Sequence, residues 1–417
     1  MRVAIVGGGV IGAACAFSLL DVADEIVLLD AGAIGAGASA GNAGWITPSL
    51  AMPLASPGIV RTGLRSAFDP RGALVIRPSL DPTWLRWLWT FARSSRPAVF
   101  ERGVAALLGM TTRTLGELDR MRSAGVAFEE HRAGLLAVAR NRAGLHWFDA
   151  TFEALRRHGF EGSLEAMDGA AARELEPALS DLIGWAVHTG IDRHVAPESL
   201  VAGLVAHAGA RGVVVKEHAR VQALRRDGGS WAVTGEAGEL ARADLVVLAS
   251  ALGTPGLVRP FGLRLPLVGA KGYSVTIPAP DPPPRLPLYL CEPKLGLSPI
   301  ASGLRVAGFF ELGARDGAPS AVRARQLVDD ARPYLTAPCD GAPLEGPAGW
   351  AGFRPATPDS LPLLGPAPGM PGVLLATGHG MLGVTLAPAT GLAVAALARG
   401  ERPGWIAAFD PARVVRG

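Results

Sequence analysis

Three glycines near the start of the chain, Gly7, Gly9 and Gly12, have the spacing that brings a backbone against a pyrophosphate. Gly7 permits a tight turn, Gly9 leaves room for the phosphates, and Gly12 lets a helix pack close to the strand before it. The next chemistry-bearing position is Asp30, eighteen residues after Gly12. A carboxylate there can accept hydrogen bonds from both hydroxyls of an adenosine ribose, which favours an unphosphorylated ribose over NADP. In a chain with 54 Gly the spacing alone carries little weight. Its surroundings carry more: the chain opens with a strand, the glycine turn and a helix, and residues 25–29 read as a second strand ending on Asp30.

These elements belong to a longer alternation. The apolar run 245–249 reads as a parallel strand buried on both faces, and residues 373–376, a glycine-rich turn and a helix over 385–398 return to the same pattern. Between them, residues 102–124 and 145–158 are helical, 134–139 and 184–188 are strands, 197–210 is a helix, and 213–215, 219–224 and 231–233 are strands. Residues 50–82 are Pro-rich and irregular. Residues 272–277, 288–290 and 304–310 are strands in a Pro-rich stretch. The predicted architecture is α/β, with a nucleotide domain from 1–49, 190–260 and 346–417. It is interleaved with an α+β substrate domain from 50–189 and 261–345, built on a mainly antiparallel sheet.

The composition bounds the rest. At 417 residues, 49% hydrophobic and 18% charged, the chain is long enough for two domains. Its net charge of +3, spread over single basic residues, argues against nucleic acid. Cys15, Cys291 and Cys339 lack metal-ligand spacing, so no metal is expected, and their scarcity suits a reducing cytoplasm. No signal peptide and no membrane-spanning stretch of about 18 uncharged apolar residues are expected. Residues 82–93 crowd Trp84, Trp87, Trp89 and Phe91 between arginines. Core packing is the favoured reading, and contact with the inner face of a membrane is the alternative.

Four stretches together resemble the D-amino-acid oxidase superfamily of FAD enzymes, most closely its D-amino-acid dehydrogenase branch (small-subunit type), with glycine oxidase nearby. They are the N-terminal glycines with Ser39-Ala40-Gly41-Asn42-Ala43-Gly44, then Lys271-Gly272-Tyr273-Ser274, then Gly352-Phe353-Arg354-Pro355, and last Gly378-His379-Gly380-Met381-Leu382-Gly383. The resemblance implies a glutathione-reductase-type Rossmann domain holding dissociable FAD. The contacts it implies are Gly7, Gly9, Val10, Ile11, Gly12, Asp30, Ala31, Ser39, Ala40, Asn42, Ala43, Gly44, Val221, Ala249 and Ser250. From the last motif it adds Gly378, Gly380, Met381, Leu382, Gly383, Val384 and Thr385. The chain departs from the family pattern at Asp30, where glutamate is commoner, at Ala249-Ser250-Ala251, which is less glycine-rich, and at Met381 and Val384.

The same resemblance implies amine oxidation, in which a hydride leaves the α-carbon for flavin N5 and water hydrolyses the imine to a keto acid and ammonia. The substrate is then a small carboxylated amine, a D-amino acid or a cyclic imino acid such as a D-proline derivative, with a quinone or oxygen as electron acceptor. Arg354 is the expected carboxylate anchor, because a guanidinium grips a carboxylate through two charge-assisted hydrogen bonds. Tyr273 is expected to add its hydroxyl to that carboxylate, and Lys271 to be an exposed strand-end lysine. His379 is expected to position substrate or flavin rather than act as an obligatory base. A glycine or sarcosine-type oxidase is the sibling reading. A tRNA-modifying flavoenzyme would require a strong basic face, and a non-catalytic flavoprotein is the third class.

Overall fold

Residues buried on both faces build the central sheet. Ala4 to Val6, Leu245–Leu248 and Val373–Thr377 are all buried, and this removes the alternation a one-sided strand would show. The computed structural model describes residues 1–66, 72–314, 316–337 and 349–414, so Cys339 lies outside the described residues. Its six-stranded sheet runs Val214–Lys216, Glu25–Leu29, Arg2–Val6, Leu245–Leu248, Val373–Thr377, Leu363–Pro366. The first five strands are parallel, and the last is an antiparallel edge.

The helices Val10–Leu19 and Gly383–Ala398 pack together on this sheet at very close range. A Cβ on Gly391 would lie 2.5 Å from the Ala14 carbonyl oxygen, so the small-residue composition of both helices is a packing requirement. The segment Gly380–Ala398 is long and apolar enough to cross a membrane, contrary to the sequence expectation that no such stretch exists. Here it is a core helix: Leu386, Ala389, Ala393 and Val394 are buried against Cys15, Leu107 and Met110. Leu107 and Met110 come from the long helix Pro97–Ser123, which therefore leaves its own sequence segment to cover the nucleotide sheet.

The second large sheet has nine strands. Along it lie Trp350–Ala356, Val268–Ile277, Gly303–Leu312, Leu295–Ile300, Leu288–Leu290, Leu135–Ala139, Trp185–Thr189 and Glu165–Asp168, with Leu74–Ile76 beside Gly303–Leu312. All pairings are antiparallel except Leu288–Leu290 with Leu135–Ala139 and Leu74–Ile76 with Gly303–Leu312. Trp350–Ala356 corrects the proposed segmentation. It falls after position 346, yet it is an edge strand of this second sheet. The stretch 50–82 is also more ordered than its prolines suggested, with a helix at Ile59–Ser66 and the strand Leu74–Ile76.

The tryptophan-rich segment forms the helix Pro82–Ser94, capped by Asp81, whose side chain accepts from the Thr83 N–H at 2.7 Å. Trp84, Trp87 and Phe91 face the core with their rings stacked at 5.9 and 5.3 Å. Trp89 and Leu85 face outward, 59% and 48% exposed, so core packing accounts for one face of the helix only.

Candidate active site

The glycine turn has the strained geometry its sequence requires. Gly7 has φ +112°, and a Cβ there would lie 2.5 Å from the Ala249 carbonyl oxygen. A Cβ on Gly12 would sit 1.8 Å from the Gly7 carbonyl oxygen, so helix and turn pack backbone to backbone. At Gly9 a Cβ would meet only Ser39 Oγ, at 3.1 Å. Ser39 Oγ accepts from the Val10 N–H at 2.9 Å, at the end of a helix with no other side-chain cap. Asp30 spans the turn, accepting from the Gly8 N–H at 2.7 Å and the Gly32 N–H at 2.8 Å.

A cavity of about 370 Å³ opens above this turn. Of the predicted cofactor residues, Gly7, Gly9, Val10, Ile11, Asp30, Ala31, Ser39, Asn42, Val221, Ala249, Ser250, Gly380, Gly383 and Val384 line it. The others serve elsewhere. Gly12 lies under the turn, and Ala40 lines an outer groove with Glu198 and Val201. The Ala43 carbonyl accepts from Ser298 Oγ, and Gly44, at φ +76°, is pressed against the Val195 carbonyl. Thr385 Oγ1 donates to the Trp45 carbonyl at 2.9 Å. Gly378, Met381 and Leu382 face a separate small recess of about 30 Å³.

Two parts of the wall escaped the sequence reading. Residues 219–222 were read as strand, but the strand begins at Ala223. Ala219 donates instead to the Asp30 carbonyl at 2.7 Å, which brings Ala219 and Arg220 to the cavity beside the expected Val221. Ala251, Gly253 and Leu257 join from the turn after the apolar strand. The signal was there: a parallel strand delivers its C-terminal loop to the ligand crevice.

Arg354 and His379 stand in the same wall, although they reach it from different sheets. The Arg354 guanidinium is partly buried, and Nη1 donates to the Phe309 carbonyl at 2.9 Å. Among the described residues no carboxylate pairs with it. Desolvation lowers its pKa to about 10, which leaves it cationic at neutral pH. His379 is buried, and Nε2 lies 3.0 Å from Thr390 Oγ1. Because that hydroxyl donates to the Leu386 carbonyl, Nε2 must carry the proton and Nδ1 the lone pair.

Burial pushes the His379 pKa down to about 3. The imidazole is therefore neutral in the fold, and the stability this confers is complete above the unfolded value near 6.5 and lost as pH falls toward 3. Lowering the pH from 7.5 to 5 is expected to cost roughly 2 kcal/mol through this residue. His379→Gln should flatten the fall in melting temperature over that range; an unchanged slope contradicts the assignment.

Tyr273 is a correction. Ala270, Gly272 and Ser274 pair with Arg354, Gly352 and Trp350, so these share one sheet face, while Tyr273, paired with Ala351, points to the other. Its hydroxyl donates to Glu311 Oε2 at 2.7 Å, and its ring packs edge-on against Phe309. It cannot reach an anion held by Arg354 on the opposite face. Lys271 is corrected likewise: it is buried, with Nζ donating to Asp316 Oδ1 and the Ala318 carbonyl.

The recess of Gly378, Met381 and Leu382 adjoins the cavity through His379 and Gly380. Met52, Leu54, Trp87, Phe91, Phe310, Ala356, Thr357 and Ser360 complete it, and among the described residues no charged side chain lines it.

A glycine-turn crevice that a dinucleotide fits, with a guanidinium from a second sheet in its wall, is the arrangement of a dinucleotide-dependent oxidoreductase. The open space at Gly9, the cavity-lining carboxylate Asp30 and the uncapped start of the helix Gly383–Ala398 suit FAD. The profile of the FAD dependent oxidoreductase family, DAO, matches residues 2–397, and the chain belongs to that family. It is an FAD-dependent oxidoreductase. A D-amino acid dehydrogenase of Paramagnetospirillum magneticum is 34% identical over 412 residues, covering 96% of this chain and 95% of that protein. One from Xanthobacter autotrophicus is 32% identical over 418 residues, covering 97% and 96%. The crystal structure of glycine oxidase from Geobacillus kaustophilus matches with a TM-score of 0.76 at 25% identity, covering 98% of this chain and 97% of that one.

Proposed function

We propose that the protein oxidises the α-carbon of D-amino acids, cyclic imino acids included, with Arg354 holding the carboxylate. The observation that carries this reading is a partly buried cation in the cavity wall with no carboxylate partner among the described residues. Burying such a charge unpaired is costly in a fold and is supported where a ligand supplies the partner. When bound, FAD supplies the hydride acceptor. The chain's own groups orient the acid through Arg354, keep His379 neutral beside it, and present apolar surface from Trp87, Phe91, Phe310 and Met381 to the substituent. We read FAD as dissociable: Cys15 and Cys291 are buried outside the cavity, and His379 Nε2 is engaged by Thr390.

Anaerobic bleaching of the flavin by a panel of D- and L-amino and imino acids tests the reading without assuming an acceptor. D-acids with small apolar side chains are expected to bleach fastest, and D-aspartate and D-lysine at least tenfold more slowly, because the recess offers no counter-charge. Failure of every carboxylated amine to bleach the flavin overturns the proposal. The similarity to glycine oxidase favours a second reading, in which oxygen is the acceptor rather than a quinone. Peroxide release under air separates the two. A cytoplasmic location is proposed, with the outward Leu85 and Trp89 and the neighbouring Arg93 as the patch that would touch a membrane.

A further inference from the structure

Phe309 has φ +61°, a left-handed conformation that a bulky aromatic residue adopts only under constraint. It lies at a β-bulge. Lys271 pairs with Glu311 and Tyr273 with Gly308, so two steps along one strand match three along the other. The bulge turns the peptide between Phe309 and Phe310 out of the ladder, and both freed groups find new partners. The Phe309 carbonyl accepts from Arg354 Nη1 at 2.9 Å, and the Phe310 N–H donates to the Ala73 carbonyl at 2.7 Å. Across the sheet, a Cβ on Gly272 would lie 2.0 Å from Arg354 Nη1, 2.3 Å from Cζ and 2.4 Å from Nη2. The guanidinium thus lies directly over the bare backbone of Gly272.

We propose that Gly272 and the Phe309 bulge form a seat that orients the Arg354 guanidinium toward the substrate carboxylate, which makes both positioning residues. This rests on the reading of Arg354 as the carboxylate anchor. The Phe309 carbonyl occupies one N–H, and the glycine holds the plane of the fork, leaving its remaining edge for the cavity. The cost of a strained aromatic residue is retained because Gly272 and the bulge together remove the side-chain freedom that an arginine otherwise loses on binding.

The test uses the holoenzyme and propionate, a carboxylate without an amine, titrated through the flavin absorbance. Gly272→Ala puts a methyl where the end of a flexible side chain must yield, so the fold and FAD content should persist. Propionate affinity should fall at least tenfold and kcat/KM for the best D-amino acid about a hundredfold, the scale expected for an ångström of misplacement. In an Arg354→Lys background the same substitution should cost nothing further, whereas a general structural effect would add in full. Propionate affinity within twofold of the parent overturns the seat while leaving the anchor standing. If Arg354→Ala also leaves propionate binding intact, the anchor itself falls. A second comparison holds even if Gly272→Ala does not fold. Phe309→Asn, which tolerates the left-handed region, should retain at least tenfold more propionate affinity than Phe309→Val, which does not. Equal losses in these two variants overturn the role of the bulge.

Discussion

Replacing Arg354 by alanine is expected to leave the protein yellow and to lower kcat/KM for carboxylated amines by about two to four powers of ten. Breaking a buried charge pair costs roughly 3 to 5 kcal/mol, and each 1.4 kcal/mol is a factor of ten in rate. The guanidinium donates to the Phe309 carbonyl and has no carboxylate partner among the described residues, so its removal takes no ion pair from them. Thermal stability should therefore hold or rise, which separates a lost ligand contact from a damaged fold. Arg354→Lys should recover little, since an ammonium cannot reproduce the two parallel hydrogen bonds of the fork. Steady-state kinetics on the best D-amino acid, with flavin absorbance as the control, decide the matter, and unchanged kinetics would refute the anchor.

Gly9→Val is expected to yield a folded protein without FAD. Gly9 has φ −74°, open to any L-residue, and the only atom a Cβ would crowd is Ser39 Oγ. The branched side chain would instead fill the space beside the Val10 N–H, where a pyrophosphate would sit. Gly7 and Gly12 cannot serve for this test. One needs its positive φ, and the other lies 1.8 Å from backbone when given a Cβ, so their replacement breaks the turn itself. The ratio of visible flavin absorbance to protein absorbance, with far-ultraviolet dichroism to check folding, measures the outcome. Normal flavin content in the variant would place the pyrophosphate elsewhere.

Much of this was legible in the chain alone. Helix Pro197–Ala210 and strand Leu288–Leu290 fall where the sequence puts them: the helix opens on Pro197 and buries Leu200, Val201, Leu204 and Ala208 at helical spacing, and the strand is a short apolar run. The glycine turn and Asp30 were legible for a related reason: their geometry is set by residues close in sequence. The misses share a different cause. The facing of Tyr273 depends on register with Trp350–Ala356, far along the chain, and a one-residue change in register reverses it. The apolar helix Gly383–Ala398 could be weighed as core or membrane only once Val10–Leu19 and Pro97–Ser123 were seen packed on it.

Residue types and short-range spacing by themselves determined a dinucleotide crevice, since backbone freedom is a property a residue carries anywhere, and the family resemblance pointed to Arg354 as the guanidinium able to grip an acid. Tertiary structure alone decided which side of the second sheet meets that crevice. It put Arg354 over Gly272 in the cavity wall and sent Tyr273 to Glu311 on the far face. Pairing between distant strands sets side-chain direction, and no local pattern encodes it.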